Sequence, residues 1–163
     1  MPEIKMDKLQ KKIIIVEDDR NINRLISYNL SKNGFASESA YDGLEAKNRL
    51  AHESFDIVIL DIMLPGVDGY HICREIKENK SNFKTFIIML TAKGESQDKL
   101  YGYLLGADYY MTKPFSVEKL MNVVEELSGV HDRQFIVKTN YQIGKSTQRK
   151  GVEVNNADNA RDA

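Results

Sequence analysis

An alternation of two hydrophobic patterns constrains this chain more than any other feature. Ile13-Ile14-Ile15-Val16, Phe55-Asp56-Ile57-Val58-Ile59-Leu60 and Phe86-Ile87-Ile88-Met89-Leu90 are nearly continuous apolar runs of strand length. Such runs suit parallel strands covered on both faces. After the first, Ile22, Leu25, Ile26 and Leu30 recur at helical spacing until Gly34 ends the pattern. The cycle repeats with a weaker strand over Phe35 to Ala40 and a helix from about Asp42 to Ala51. A third helix is expected after Gly69, a fourth ending near Gly106, and a short fifth strand over Tyr109 to Met111. The fifth helix carries Val117, Leu120, Met121, Val124 and Leu127. Alternating strand-helix units of this kind predict an open, doubly wound α/β domain.

Composition narrows the function classes. The net charge of -1 predicts no strong pull towards nucleic acid or anionic membrane. No apolar run reaches the ~20 residues of a bilayer span, and the polar start lacks a signal-peptide core, so a cytoplasmic protein is expected. Cys73 is the single cysteine, which excludes an intrachain disulfide and a cysteine zinc site and reads as a small buried helix residue. An acidic excess up to residue 130 gives way to a basic excess beyond it. The expected division is an N-terminal extension over 1–10, one domain over 11–130, and a polar, largely disordered tail over 131–163. Short strands over Gln134 to Val137 and Tyr141 to Ile143 would have too few apolar residues for a separate core.

In doubly wound sheets ligands bind beyond the carboxyl ends of the strands, where strand order reverses. Strand one runs into Glu17-Asp18-Asp19, strand three into Asp61, strand four into Thr91 and strand five into Lys113-Pro114. Taken singly, Asp19 and Thr91 read as caps or turn formers and Lys113 as a solvated lysine. With strand order 2-1-3-4-5 they converge. Glu17, Asp18 and Asp61 would then repel one another unless a cation lay among them, and hard oxygen ligands suit Mg²⁺. Lys113 adds a positive charge and Thr91 a hydroxyl donor for an anion beside it. These are the parts needed for phosphoryl transfer to a carboxylate, with an acyl phosphate on Asp61 as the product.

The sequence resembles the receiver domains of two-component response regulators. The resemblance rests on Ile13-Ile-Ile-Val-Glu-Asp-Asp19, Asp56-Ile-Val-Ile-Leu-Asp-Ile-Met-Leu-Pro-Gly-Val-Asp-Gly69, Ile88-Met-Leu-Thr-Ala-Lys93 and Gly106-Ala-Asp-Tyr-Tyr-Met-Thr-Lys-Pro-Phe115, in order along residues 11–130. It implies a flavodoxin-like receiver fold, a five-stranded parallel sheet in order 2-1-3-4-5 with five helices. It implies that Asp61 accepts phosphate from a sensor histidine kinase or phosphotransfer protein. Asp18, Asp61 and the backbone carbonyl of Met63 would bind Mg²⁺ directly and Glu17 mainly through water. Thr91 and Lys113 would contact the phosphoryl group, Tyr110 would be the aromatic switch, and the Lys113-Pro114 bond would be cis. Physically, a dianionic group on Asp61 draws in the Thr91 hydroxyl and vacates space for the Tyr110 ring. The protein is then a signalling phosphoacceptor that assists its own phosphorylation and dephosphorylation, rather than an enzyme.

The motif wording is nearest to regulators with a winged-helix DNA-binding domain. Such a domain needs ~100 further residues, so none is expected after residue 130. In that class phosphorylated receivers pair through the fourth helix, fifth strand and fifth helix by cross-subunit ion pairs. Here Lys99 faces Lys119 in place of an acid, an acid–arginine pair falls on Tyr109 and Val123, and Leu104 stands at another commonly acidic position. That homodimer should be disfavoured. Val123 is expected to point away from the main seam and, with Leu104 and Tyr109, to form an apolar patch for an unknown downstream protein. His71 reads as solvated or capping, His52 and His131 stand isolated, and Arg149-Lys150 reads as a solvated tail.

Three other readings compete. An aspartyl-phosphate-forming hydrolase of the haloacid-dehalogenase type wants a second Asp two residues on, where Met63 stands. A nucleotide or flavin binder wants a glycine fingerprint after strand one, which is missing. A degenerate receiver serving only as a scaffold conflicts with the intact acidic set, Thr91 and Lys113.

Overall fold

The computed structural model describes residues 10–80, 82, 84–92 and 105–129. The chain forms β1 (Ile13–Val16), α1 (Arg20–Lys32), β2 (Ser37–Ala40), α2 (Gly43–His52), β3 (Ile57–Asp61), α3 (Gly69–Glu78), β4 (Phe86–Thr91), β5 (Tyr109–Thr112) and α4 (Val117–Ser128). The expected fourth helix, with Lys99 and Leu104, lies outside the described residues, as do the tail over 131–163 and, Gln10 apart, the extension over 1–10. α4 is therefore the expected fifth helix. All four strand pairings are parallel, and the order is β2-β1-β3-β4-β5. Among the described residues no helix is long and apolar enough to cross a membrane.

Residues of β1, β3 and β4 are buried throughout, as continuous apolar runs require of strands covered on both faces. On one face Ile14, Val16, Val58, Leu60, Ile87 and Met89 meet Ala46 and Leu50 of α2 and Ile72, Cys73 and Ile76 of α3. α1 and α4 pack together and bury Ile26 and Leu30, and Leu120, Met121, Val124 and Leu127. Helices start where side chains take orphan N–H groups: Asp19, Asp42, Asp68 and Ser116 cap α1 to α4 in turn.

Three expectations change. Val123 is buried, 5% exposed. Leu120, Val123, Val124 and Leu127 follow i, i+3, i+4, i+7 spacing and form one seam, so Val123 belongs to the core stripe rather than to an exposed patch. Tyr109 is half-buried, and its hydroxyl donates to Glu126 Oε2 at 2.9 Å. β2 begins at Ser37 because Phe35 closes the end of α1: its N–H donates to Leu30 O at 2.9 Å and that of Gly34 to Ser31 O at 3.0 Å. Gly34, at φ 86°, supplies the left-handed turn this motif needs.

Candidate phosphoacceptor site

The first residue past β1, Glu17, is 1% exposed. Its N–H donates to Ala40 O at 3.1 Å, continuing the pairing with β2, and its carbonyl accepts from Asn23 Nδ2 at 3.2 Å. Its carboxylate is pinned at both oxygens: Oε1 accepts the Asp19 N–H at 3.0 Å and Oε2 accepts Lys113 Nζ at 2.6 Å. Asp18 is exposed. Asp19 turns back into α1, its Oδ1 accepting the N–H of Asn21 at 2.8 Å and of Ile22 at 3.2 Å. The expectation that Asp19 serves as a cap therefore holds.

Asp61, the last residue of β3, is 4% exposed. Its Oδ1 accepts the Met63 N–H at 3.0 Å and its Oδ2 accepts Lys113 Nζ at 3.1 Å. The following loop returns so closely that a Cβ on Gly69 would lie 2.6 Å from Ile62 Cα and 2.7 Å from the Asp61 carbonyl oxygen. Glycine alone fits there. Thr91 ends β4, 1% exposed, with Oγ1 donating to Ala92 O at 3.4 Å. Lys113 follows β5 and precedes Pro114 through a cis bond, as the resemblance implied. Its N–H donates to Thr91 O at 2.6 Å, tying the lysine to the end of β4.

Carboxylate oxygens of Glu17, Asp18 and Asp61 lie within 4.8 Å of one another. Burial of the Glu17 carboxylate raises its pKa above the usual 4.5; the Asp61 charge adds to this, and the hydrogen bonds from Lys113 and Asp19 only partly offset it. Burial opposes the charge on Lys113, yet its hydrogen bonds to Glu17 and Asp61 and their charges outweigh that, and its pKa is raised above 10.5. One ammonium among three carboxylates leaves the cluster short of positive charge. A hard divalent cation fits this donor set, with Asp18 open to solvent on one side.

Tyr110 sits on β5, half-buried against the apolar cluster. Its hydroxyl lies 3.0 Å from that of Tyr70 in the first turn of α3. The sequence reading did not single out Tyr70. The available signal was an aromatic residue directly after the tightly held Gly69.

Comparison with known proteins agrees with this arrangement. The response regulator receiver domain family matches residues 13–125. The receiver domain of Francisella response regulator 1452 is 30% identical at a TM-score of 0.68, with 73% of this chain and 97% of that one covered. The BeF3-activated receiver domain of DrrB is 38% identical at a TM-score of 0.65, covering 72% and 96%. The chemotaxis response regulator CheY4 of Vibrio cholerae is 28% identical at a TM-score of 0.67, covering 72% and 98%.

Proposed function

This chain belongs to the family of response regulator receiver domains and is a phosphoacceptor of two-component signalling, and we propose that its acceptor is Asp61, served by a sensor histidine kinase or a phosphotransfer protein. The observation that carries this reading is the meeting of Glu17, Asp18, Asp61 and Lys113 at one end of the sheet. In the transfer a carboxylate oxygen of Asp61 bonds to phosphorus while the phosphorus–nitrogen bond of the donor phosphohistidine breaks. The departing imidazole keeps that electron pair and takes up a proton.

Asp18, Asp61 and the Met63 backbone carbonyl would hold Mg²⁺, with Glu17 acting through water. When bound, the ion supplies neutralising charge for the incoming phosphoryl oxygens. Lys113 offers its ammonium to a phosphoryl oxygen, a contact within reach because Nζ already donates to Asp61 Oδ2. Thr91 Oγ1 turns from the Ala92 carbonyl towards the phosphoryl group, and the Tyr110 ring follows into the space it leaves. The surface that changes surrounds β5, where a downstream protein would read it. The same residues assist the later hydrolysis of the acyl phosphate.

Intact mass after incubation with acetyl phosphate and Mg²⁺ tests the assignment. One phosphoryl group adds about 80 Da, and Asp61→Asn should remove that species. Undiminished labelling of Asp61→Asn would overturn the choice of Asp61.

A further inference from the structure

We propose that Tyr70 is a positioning residue for the switch, its hydroxyl holding the Tyr110 ring in place while Asp61 carries no phosphate; this rests on the reading of Tyr110 as the switch residue. The two hydroxyl oxygens are 3.0 Å apart, a hydrogen bond in which either can donate. Both rings pack, partly buried, against the same apolar cluster that holds Leu60, Met89 and Ala107. The bond thus joins two rings already confined by packing, and little further ordering is needed to form it.

Tyr70 is also tied to the acceptor. Its N–H donates to Asp68 Oδ1 at 2.9 Å, fixing the start of α3. The neighbouring Gly69 N–H donates to Ile62 O at 3.0 Å, and the Gly69 backbone leaves no room for a Cβ against Asp61 and Ile62. A displacement of the backbone after Asp61 therefore reaches Tyr70 through a contact without slack. Tyr110 receives two inputs: β4 brings Thr91 beside its strand, and α3 brings the Tyr70 hydroxyl. Movement of the Tyr110 ring breaks the hydroxyl contact, so the contact opposes switching before phosphate arrives.

The test uses the full chain with isotope-labelled tyrosine rings, observed by NMR with no phosphodonor. In the wild type the Tyr110 ring signals should show a through-space contact with the Tyr70 ring. Tyr70→Phe keeps the ring and removes only the hydroxyl. It should raise the share of a second Tyr110 signal set lacking that contact by about 2- to 13-fold, the size set by one ordinary hydrogen bond. Tyr28→Phe, on a residue 62% exposed on α1, should leave the Tyr110 signals unchanged. Identical Tyr110 signals in the wild type and Tyr70→Phe would overturn the proposal. The acceptor is judged separately by mass. Normal labelling of Asp61 with an unresponsive ring removes Tyr70 alone, whereas failed labelling with a responsive ring removes Asp61 as acceptor and leaves the hydroxyl contact standing.

Discussion

At the amino ends of the strands, Asp56 Oδ2 accepts the Lys12 N–H at 2.7 Å and Asp108 Oδ2 accepts the Ile87 N–H at 2.8 Å. Thr85 Oγ1 donates to Phe55 O at 2.6 Å, and Asn82 Nδ2 to Leu50 O at 2.8 Å. Lys77, reaching across from α3, donates to Thr85 O and to Asp108 Oδ2. Here polar side chains complete backbone groups that a strand end or, at Leu50, the last turn of α2 would otherwise leave unpaired. At the carboxyl ends the same residue types crowd together, three carboxylates around one ammonium. Asp56 and Asp108 stand in the same sequence motifs as Asp61 and Lys113 but hold structure, whereas the site stores an imbalance of charge. The site carboxylates also hold backbone N–H groups, that of Asp19 at Glu17 and that of Met63 at Asp61, but they crowd one another, and that crowding waits for a cation and an anion.

The largest contrast should appear on exchanging the two kinds of aspartate. Asp61→Asn should abolish phosphoryl uptake while leaving the unfolding midpoint unchanged or raised, because one of three crowded charges is gone. Asp108→Ala should do the reverse. It removes the acceptor of the Ile87 N–H, in a place where the Asp108 side chain is 8% exposed, while Lys77 keeps its bond to Thr85 O. A loss of about 1–3 kcal/mol is expected for such an orphaned buried group, with normal labelling of the folded fraction. Urea unfolding read beside intact mass separates the two, and a shared pattern in both variants would erase the distinction between the ends.

Gly69→Ala comes next. The added methyl meets backbone atoms rather than a flexible side chain, and overpacking of that kind costs about 1–3 kcal/mol. Gly129→Ala is the reference: at φ -82° its nearest neighbours are the carbonyl oxygens of Glu125 and Glu126 at 3.7 Å, so neutrality or slight stabilisation is expected. Denaturant midpoints for the pair decide whether the loop after Asp61 is as tightly held as the contacts with Asp61 and Ile62 require.

A smaller effect lies in pH. Glu17 has a folded pKa raised chiefly by burial, so between the ordinary value of 4.5 and the raised one the folded state binds more protons than the unfolded. In metal-free buffer stability should therefore fall as pH rises through that window and level off above it. Glu17→Gln should remove this component of the slope, and Mg²⁺ should flatten it in the wild type by favouring the ionised site. Lys113 acts at the other extreme. With its pKa raised above 10.5, its contribution is present below that value and is lost as pH climbs through the raised one. Unfolding midpoints that rise with pH across the Glu17 window in the wild type, but not in Glu17→Gln, would reverse the sign of the argument.

How far the sequence anticipated this depends on the kind of signal each residue carries. β1, β3 and β4 were legible because strands buried on both faces must be apolar throughout, and Asp61 and Thr91 were legible because they end such strands; Lys113 follows the only partly buried β5 and was legible through the motif from Gly106 to Phe115. Phe35 misled because an apolar residue after a glycine fits both a strand start and a helix-closing contact, and only the bond to Leu30 O distinguishes them. Val123 misled because six apolar positions in one helix hide which five are buried. Tyr70 and Asp108 depend on partners 40 and 21 residues away, a pairing no local pattern announces.

The smallest expected effect belongs to a partly exposed carboxylate near the amino ends. Glu53 pairs with Lys12 and Arg49, and its pKa is lowered first by the hydrogen bond from Lys12 and then by the charges of Lys12 and Arg49. A lowered folded pKa means the pair contributes above the ordinary value of 4.5 and loses that contribution as pH falls through the lowered one. Ion pairs this open to solvent are screened and weak, so Glu53→Gln should shift the neutral-pH midpoint barely beyond measurement error, and less still in high salt. Lys12 keeps its other anchor, the backbone N–H held by Asp56. The strand end should therefore stay closed without Glu53, while Asp56→Ala, which removes that N–H's acceptor, should open it. Hydrogen exchange at Lys12 and Ile13 distinguishes these outcomes: fast exchange in Glu53→Gln would mean that the surface charge, not the backbone bond, seals this end of the sheet.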